Sequence, residues 1–144
     1  MNKEDFKVVL IPIHGNYWQR AYKKLSAKIS NLKSSLKRRA VEYDVKFKIG
    51  LPELKKMFLD VYGLQCKYCT KVLTYRNIAC DHIVPLSKGG DSVADNLQLI
   101  CKSCNMRKGP LDEEDFSLLL QLVIELPDEL SEYVMRKLAK GGRY

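Results

Sequence analysis

Apolar residues follow two periods along this chain. Tyr22, Leu25, Ile29, Leu32 and Leu36 recur at intervals of three and four, which predicts a helix from Tyr17 to about Tyr43. Lys23, Lys24, Lys28, Lys33, Lys37, Arg38 and Arg39 occupy much of its remaining surface, and Ser30, Ser34 and Ser35 weaken its helicity slightly. Ahead of it, "KVVLIPI" (7–13) reads as a short strand or an apolar anchor. Gly50-Leu51-Pro52 is a break, and Pro52 suits the first turn of a helix "PELKKMFLDVY" that stops before Gly63. Short runs then predict a strand at 72–75, a turn at Arg76-Asn77 and a strand at about 78–83. The stretch 87–95, "SKGGDSVAD", is rich in turn formers. "LQLIC" (97–101) is a short strand or the lead into a helix over 102–108, which Gly109-Pro110 stops. Asp112 can cap a helix carrying Phe116, Leu119, Leu120, Val123 and Ile124. Pro127 separates it from a last helix over 128–140 with Leu130, Tyr133, Val134 and Leu138 on one side and Gly141 as its stop.

Composition narrows the class. The 144 residues suffice for one modest domain and an appendage, and 46% hydrophobic with 29% charged residues is ordinary for a globular protein. No apolar run approaches the roughly 20 residues of a membrane span, and the acidic residues of "MNKEDF" do not suit a signal peptide. A cytoplasmic location is expected, in a bacterium or a phage-infected cell. The net charge of +8 is unevenly placed. Residues 1–50 hold twelve Lys and Arg against four Asp and Glu, while residues 51–144 hold thirteen of each. A basic segment joined to a neutral body points to a polyanion, most often nucleic acid.

Cysteine spacing adds the first chemistry. Cys66 and Cys69, then Cys101 and Cys104, form two C-x-x-C pairs separated by 31 residues. Two such turns supply four thiolates to one tetrahedral structural Zn²⁺ at about 2.3 Å, with no open position for catalysis. Cys80 fits neither pair and is expected to pack beside the strand. His14, in "PIHGNYW", has no partner spacing and reads as a surface or packing residue, and Tyr17 and Trp18 read as core packing, with stacking on bases the alternative. Asp81, His82 and Asn96 lie between the cysteine pairs, and Asn105 just beyond them. Hard-metal ligands gathered around one histidine suggest phosphodiester hydrolysis.

The stretch "CDHIVPLSKGGDSVADNLQLICKSCNMRKG" resembles the HNH endonuclease signature, in the subgroup whose ββα-metal motif is flanked by C-x-x-C knuckles. The resemblance spans roughly residues 52–110. It implies an α+β fold: a ββα-metal core with a four-cysteine zinc site, flanked by a long basic N-terminal helix and C-terminal helices. The corresponding organisation is 1–50, a basic DNA-binding segment; 51–110, the nuclease core; and 111–144, C-terminal helices.

In the residue roles it implies, His82 is the general base and Asp81 a ligand of a catalytic divalent cation. Asn96 holds the loop and the His82 backbone, and Asn105 is the second ligand. Many members of the subgroup have His after the last cysteine. The HNH domain of RNA-guided CRISPR nucleases has Asn there, with Lys three residues later, as Lys108 follows Asn105 here. A carboxylate and an amide oxygen favour Mg²⁺ or Mn²⁺.

The implied activity is one-metal hydrolysis of double-stranded DNA, leaving a 5′-phosphate and a 3′-hydroxyl. Lys28, Lys33, Lys37, Arg38, Arg39, Arg107 and Lys108 are the expected phosphate contacts, and the 22–36 stripe is one through which a homodimer could form. Homing, restriction and phage-type nucleases all fit. The alternative is a zinc-stabilised DNA-binding module that has lost catalysis.

Overall fold

The computed structural model describes residues 2–140, so Gly141, the expected stop of the last helix, lies outside the described residues. The first element is a helix, α1 (Lys3–His14), where a strand or an anchor was expected. Its N-terminus explains the difference. Asn2 Oδ1 accepts from the N–H groups of Glu4 and Asp5, and Asp5 Oδ2 accepts from the Asn2 N–H at 2.7 Å, a reciprocal capping box. The cap starts a helix through an apolar run that carries no helical period of its own. A tight turn at Gly15–Tyr17 leads into α2 (Trp18–Glu42), with Gly15 at φ 54°.

The α2 stripe is buried as expected: Leu25, Ile29 and Leu36 are inaccessible, with Ala21 and Ala40 beside them. It packs on α1 and on α3 (Leu51–Val61), whose Leu54 and Phe58 are also buried. Full burial of such side chains stabilises by about 1.5–3 kcal/mol each. The stripe is consumed by the chain's own core, which removes it as the surface for a homodimer. Trp18 is half-buried beneath the ammonium groups of Lys3 and Lys7, whereas Tyr17, expected in the core, is 74% exposed.

Strands are few. β1 (Phe47–Lys48) pairs in parallel with β3 (Ser92–Val93). β2 (Ile78–His82) pairs antiparallel with β4 (Leu97–Cys101), setting Asp81 opposite Gln98 and His82 opposite Leu97. The strand expected at 72–75 reduces to one bridge, Val72 with Gln65, because Thr74 to Asn77 turn immediately afterwards. The short helix α4 (Lys102–Lys108) follows β4 and packs on both strands, completing a ββα unit in a mixed α+β fold.

One hydrophobic cluster runs from Phe6 to Cys104, so the basic N-terminal segment shares its core with the ββα unit. Two helices follow, α5 (Glu113–Ile124), capped by Asp112, and α6 (Asp128–Ala139). Phe116 of α5 is fully buried, edge-on to Tyr68 at 4.8 Å. No α6 residue is buried.

Candidate metal centre and active-site cleft

Cys66 and Cys69 sit in a turn after α3, where the Cys66 N–H donates to the Lys71 carbonyl at 2.8 Å. Cys101 ends β4 and caps α4, accepting the Cys104 N–H on its sulfur. These two turns bring all four sulfurs within 4.8 Å of one another, with Cys69 and Cys101 at 3.6 Å. A tetrahedral ion bonded to sulfur at about 2.3 Å needs sulfurs about 3.8 Å apart, so the cluster fits one Zn²⁺. The Cys101 N–H also donates to Cys66 Sγ and the Arg107 guanidinium to Cys104 Sγ, both of which favour thiolates. Cys80 stands apart from the cluster. It is half-buried, and burial, then the charge of Asp81, push its thiol up to about 12, which disfavours the thiolate.

A cleft of about 280 Å³ opens at the end of β2, lined by Arg39, Cys80, Asp81, His82 and Asn105 among others. Three elements meet there. Asp81 and His82 close β2, Asn105 stands on α4, and Arg39 reaches in from the last turns of α2. Adjacent strand residues normally face opposite ways, but β2 ends at His82 and the chain bends at Ile83-Val84. Both side chains therefore reach the cleft.

His82 is only 7% exposed. Its Nε2 lies 2.9 Å from the hydroxyl of the fully buried Ser92, and Nδ1 has no partner among the described residues. Burial, then the Arg39 charge, hold its pKa below the ordinary histidine value; Lys108 adds to this, while Asp81 opposes it. Burial and the Arg39 charge both favour the neutral imidazole. Asp81 is oriented from two sides. Gln98 Nε2 donates to Oδ2 at 2.9 Å, and Lys108 Nζ lies 3.1 Å from the same oxygen and 3.3 Å from Oδ1. Gln98 donates as well to Tyr68 Oη, which donates to Glu113, so the first turn of α5 supports the site.

Asn96 is the staple of the loop. Its Oδ1 accepts the Val84 N–H at 2.9 Å, and its Nδ2 donates to the carbonyls of Val84 and Asp91. Its own carbonyl accepts the Ile83 N–H, directly after His82. Gly90 is required by this packing, because a Cβ there would lie 1.8 Å from the Val84 oxygen.

The expected phosphate contacts divide. Lys37, Arg38 and Arg39 are exposed and Lys33 is half-buried. The other three are engaged within the fold. Lys108 is fully buried and donates to the carbonyls of His82 and Ile83 as well as to Asp81. Arg107 donates to the Met135 carbonyl of α6. Lys28 donates to the Tyr75 carbonyl, and burial followed by the nearby Lys102 lowers its pKa to about 8. The sequence reading passed over Ser92 and Gln98. Their polar character was visible, but the pairing that sets each against His82 or Asp81 was not. It also placed Arg39 on a clamp rather than in the cleft.

Residues 66–111 match the family model described as HNH endonuclease. This region is similar to an HNH domain. It holds all four cysteines together with Asp81, His82, Asn96, Asn105 and Lys108, about a third of the chain. No curated protein matches the chain. The match points to a nuclease or nucleic-acid-binding role, and no helix among the described residues is long and apolar enough to cross a membrane.

Proposed function

We propose that the chain is a metal-dependent endonuclease acting on double-stranded DNA, with the cleft at the end of β2 as its active site. The observation that carries this reading is the meeting of a largely buried histidine with a carboxylate, an amide and a guanidinium in one cleft. Asp81 and Asn105 offer hard oxygen donors suited to Mg²⁺ or Mn²⁺. Asp81 keeps lone pairs beyond those used by Lys108 and Gln98. When bound there, the cation would supply positive charge to a non-bridging phosphate oxygen and to the departing 3′ oxygen. His82 takes a proton from the attacking water while the water oxygen bonds to phosphorus. The P–O3′ bond breaks, giving a 5′-phosphate and, after protonation from solvent, a 3′-hydroxyl. Arg39 draws the phosphate into the cleft. Ser92 fixes the imidazole, and Asn96 fixes the loop that follows it. Cys66, Cys69, Cys101 and Cys104 would hold a Zn²⁺ that ties the second half of the motif to the first and, with all four positions filled by thiolates, would take no part in the reaction.

A second reading rests on one observation. The Asp81 carboxylate already pairs with a buried lysine, which would also suit a zinc-stabilised DNA-binding module without catalysis. Incubation of supercoiled plasmid with purified protein in Mg²⁺, Mn²⁺, Ni²⁺ or no added metal separates the two. Cleavage in Mg²⁺ or Mn²⁺ is the expected result. DNA binding with no cleavage in any metal selects the module, and activity in Ni²⁺ alone removes the hard-cation assignment.

A further inference from the structure

A second pocket, of about 410 Å³, lies at the other end of α2, where α1 turns into α2 against the turn at Tyr75-Arg76. Arg20, Lys24 and Arg76 line it with His14, Tyr17 and Tyr75, and it has no acidic lining. None of the three cations pairs with a carboxylate among the described residues, whereas Lys7, Arg38, Lys56, Lys67, Lys88 and Lys108 do. The walls are fixed. His14 Nε2 and Tyr62 Oη are 2.7 Å apart, Tyr62 Oη accepts the Tyr75 N–H, and Arg76 Nε donates to Tyr75 Oη at 3.2 Å. Lys24 stands over the Tyr75 ring. The Tyr75 phenol is held below its ordinary value, first by the Arg76 hydrogen bond and further by Lys24 and Arg20, so the three charges act on one place.

The pocket is in line with the cleft. Along α2, Lys24 stands over Tyr75, Lys28 bonds the Tyr75 carbonyl, Asn31 and Ser35 share a groove with Ala79 and Cys80, and Arg39 meets Asp81 and His82. The helix and β2 therefore run side by side in the same direction. From Lys24 to Arg39 is fifteen residues of helix, about 22 Å. From Ile78 to His82 is four residues of extended strand, about 13 Å, and Arg76 lies beyond Ile78 in the preceding turn. The helix therefore sets the spacing, and about 22 Å corresponds to roughly six base pairs measured along the axis of a duplex at about 3.4 Å each.

We propose that Arg20, Lys24 and Arg76 bind a backbone phosphate of the same DNA whose scissile phosphate enters the cleft, as a remote anchor about six base pairs away. This rests on the DNA-directed reading above. The test measures binding rather than cleavage: fluorescence anisotropy of a labelled duplex of about 25 base pairs, long enough to span both sites, over a range of salt with no divalent cation added. The wild-type chain is compared with a variant carrying Arg20→Gln, Lys24→Gln and Arg76→Gln, and with a control carrying Lys48→Gln, Lys55→Gln and Lys140→Gln. Thermal melts check that both variants fold. The pocket variant should bind about tenfold more weakly, with a log–log salt slope shallower by about 0.9, the loss of one phosphate. The control should keep most of both. Unchanged affinity and slope in the pocket variant, or an equal loss in the control, overturns the anchor. A wild-type chain that does not bind duplex DNA overturns the DNA-directed reading, and the anchor with it.

Discussion

His82 is nearly inaccessible and yet lines an open cleft, and its environment sets how it titrates. The groups facing it are Arg39 from α2, Ser92 from β3, Lys108 from α4 and Asp81 on its own strand. Burial and Arg39 both lower its pKa, and a base must be neutral to take a proton. Cleavage in saturating Mg²⁺ should therefore rise with pH around a midpoint below about 6.5 and level off by about pH 7. Arg39→Gln removes one lowering influence and should move that midpoint upward. A downward move would contradict the assignment. Lys108 makes a separate prediction. Lys108→Met leaves the Asp81 charge and two carbonyls without their buried partner, and should cost about 3 kcal/mol or more in urea unfolding. A loss below about 1 kcal/mol would show that the pair is dispensable to the fold. The sequence marked Lys108 through its place after Asn105 but carried no sign of its burial. A lysine in the last turn of a short helix reads equally well as a surface cation.

Elements differed in how plainly they were written. The α2 stripe was legible because its polar residues keep the helical period visible. In α1 the run Val8 to Ile13 has almost no polar interruption, and Pro12 argues against helix. The informative signal was the Asn2-x-x-Asp5 cap, which precedes the run rather than lying within it. The Gly89-Gly90 loop was legible as a turn, but the requirement for Gly90 came only from tertiary approach. Gly90→Ala would drive a methyl group into the Val84 carbonyl and against the Asn96 amide. It should destabilise by about 3 kcal/mol and displace the loop after His82, so that the rate falls along with the melting temperature. A Gly90→Ala protein with wild-type stability would show that the loop yields freely.

In the whole molecule, one core joins the N-terminal helices to the ββα unit, and Cys66, Cys101 and Cys104 of the cysteine cluster belong to it. The four-cysteine site was the most legible feature of all, because paired C-x-x-C turns admit few other uses. The path from the basic segment to the cleft was not legible, since it depends on α2 lying along β2. Elemental analysis should find one zinc per chain. Its removal by a strong chelator, or Cys69→Ser, should unfold the ββα unit cooperatively, because structural zinc supplies about 10 kcal/mol or more in comparable small sites. A metal-free chain with an unchanged melting curve would contradict the site.

The most direct measurement is the rate of plasmid cleavage in Mg²⁺ by the wild-type chain and by His82→Ala, with ends mapped and the melting curves of both recorded. The account predicts 5′-phosphate ends from the wild type and a loss of about 10²–10⁴-fold in a variant that still folds. A folded His82→Ala protein that cuts at the wild-type rate would contradict it.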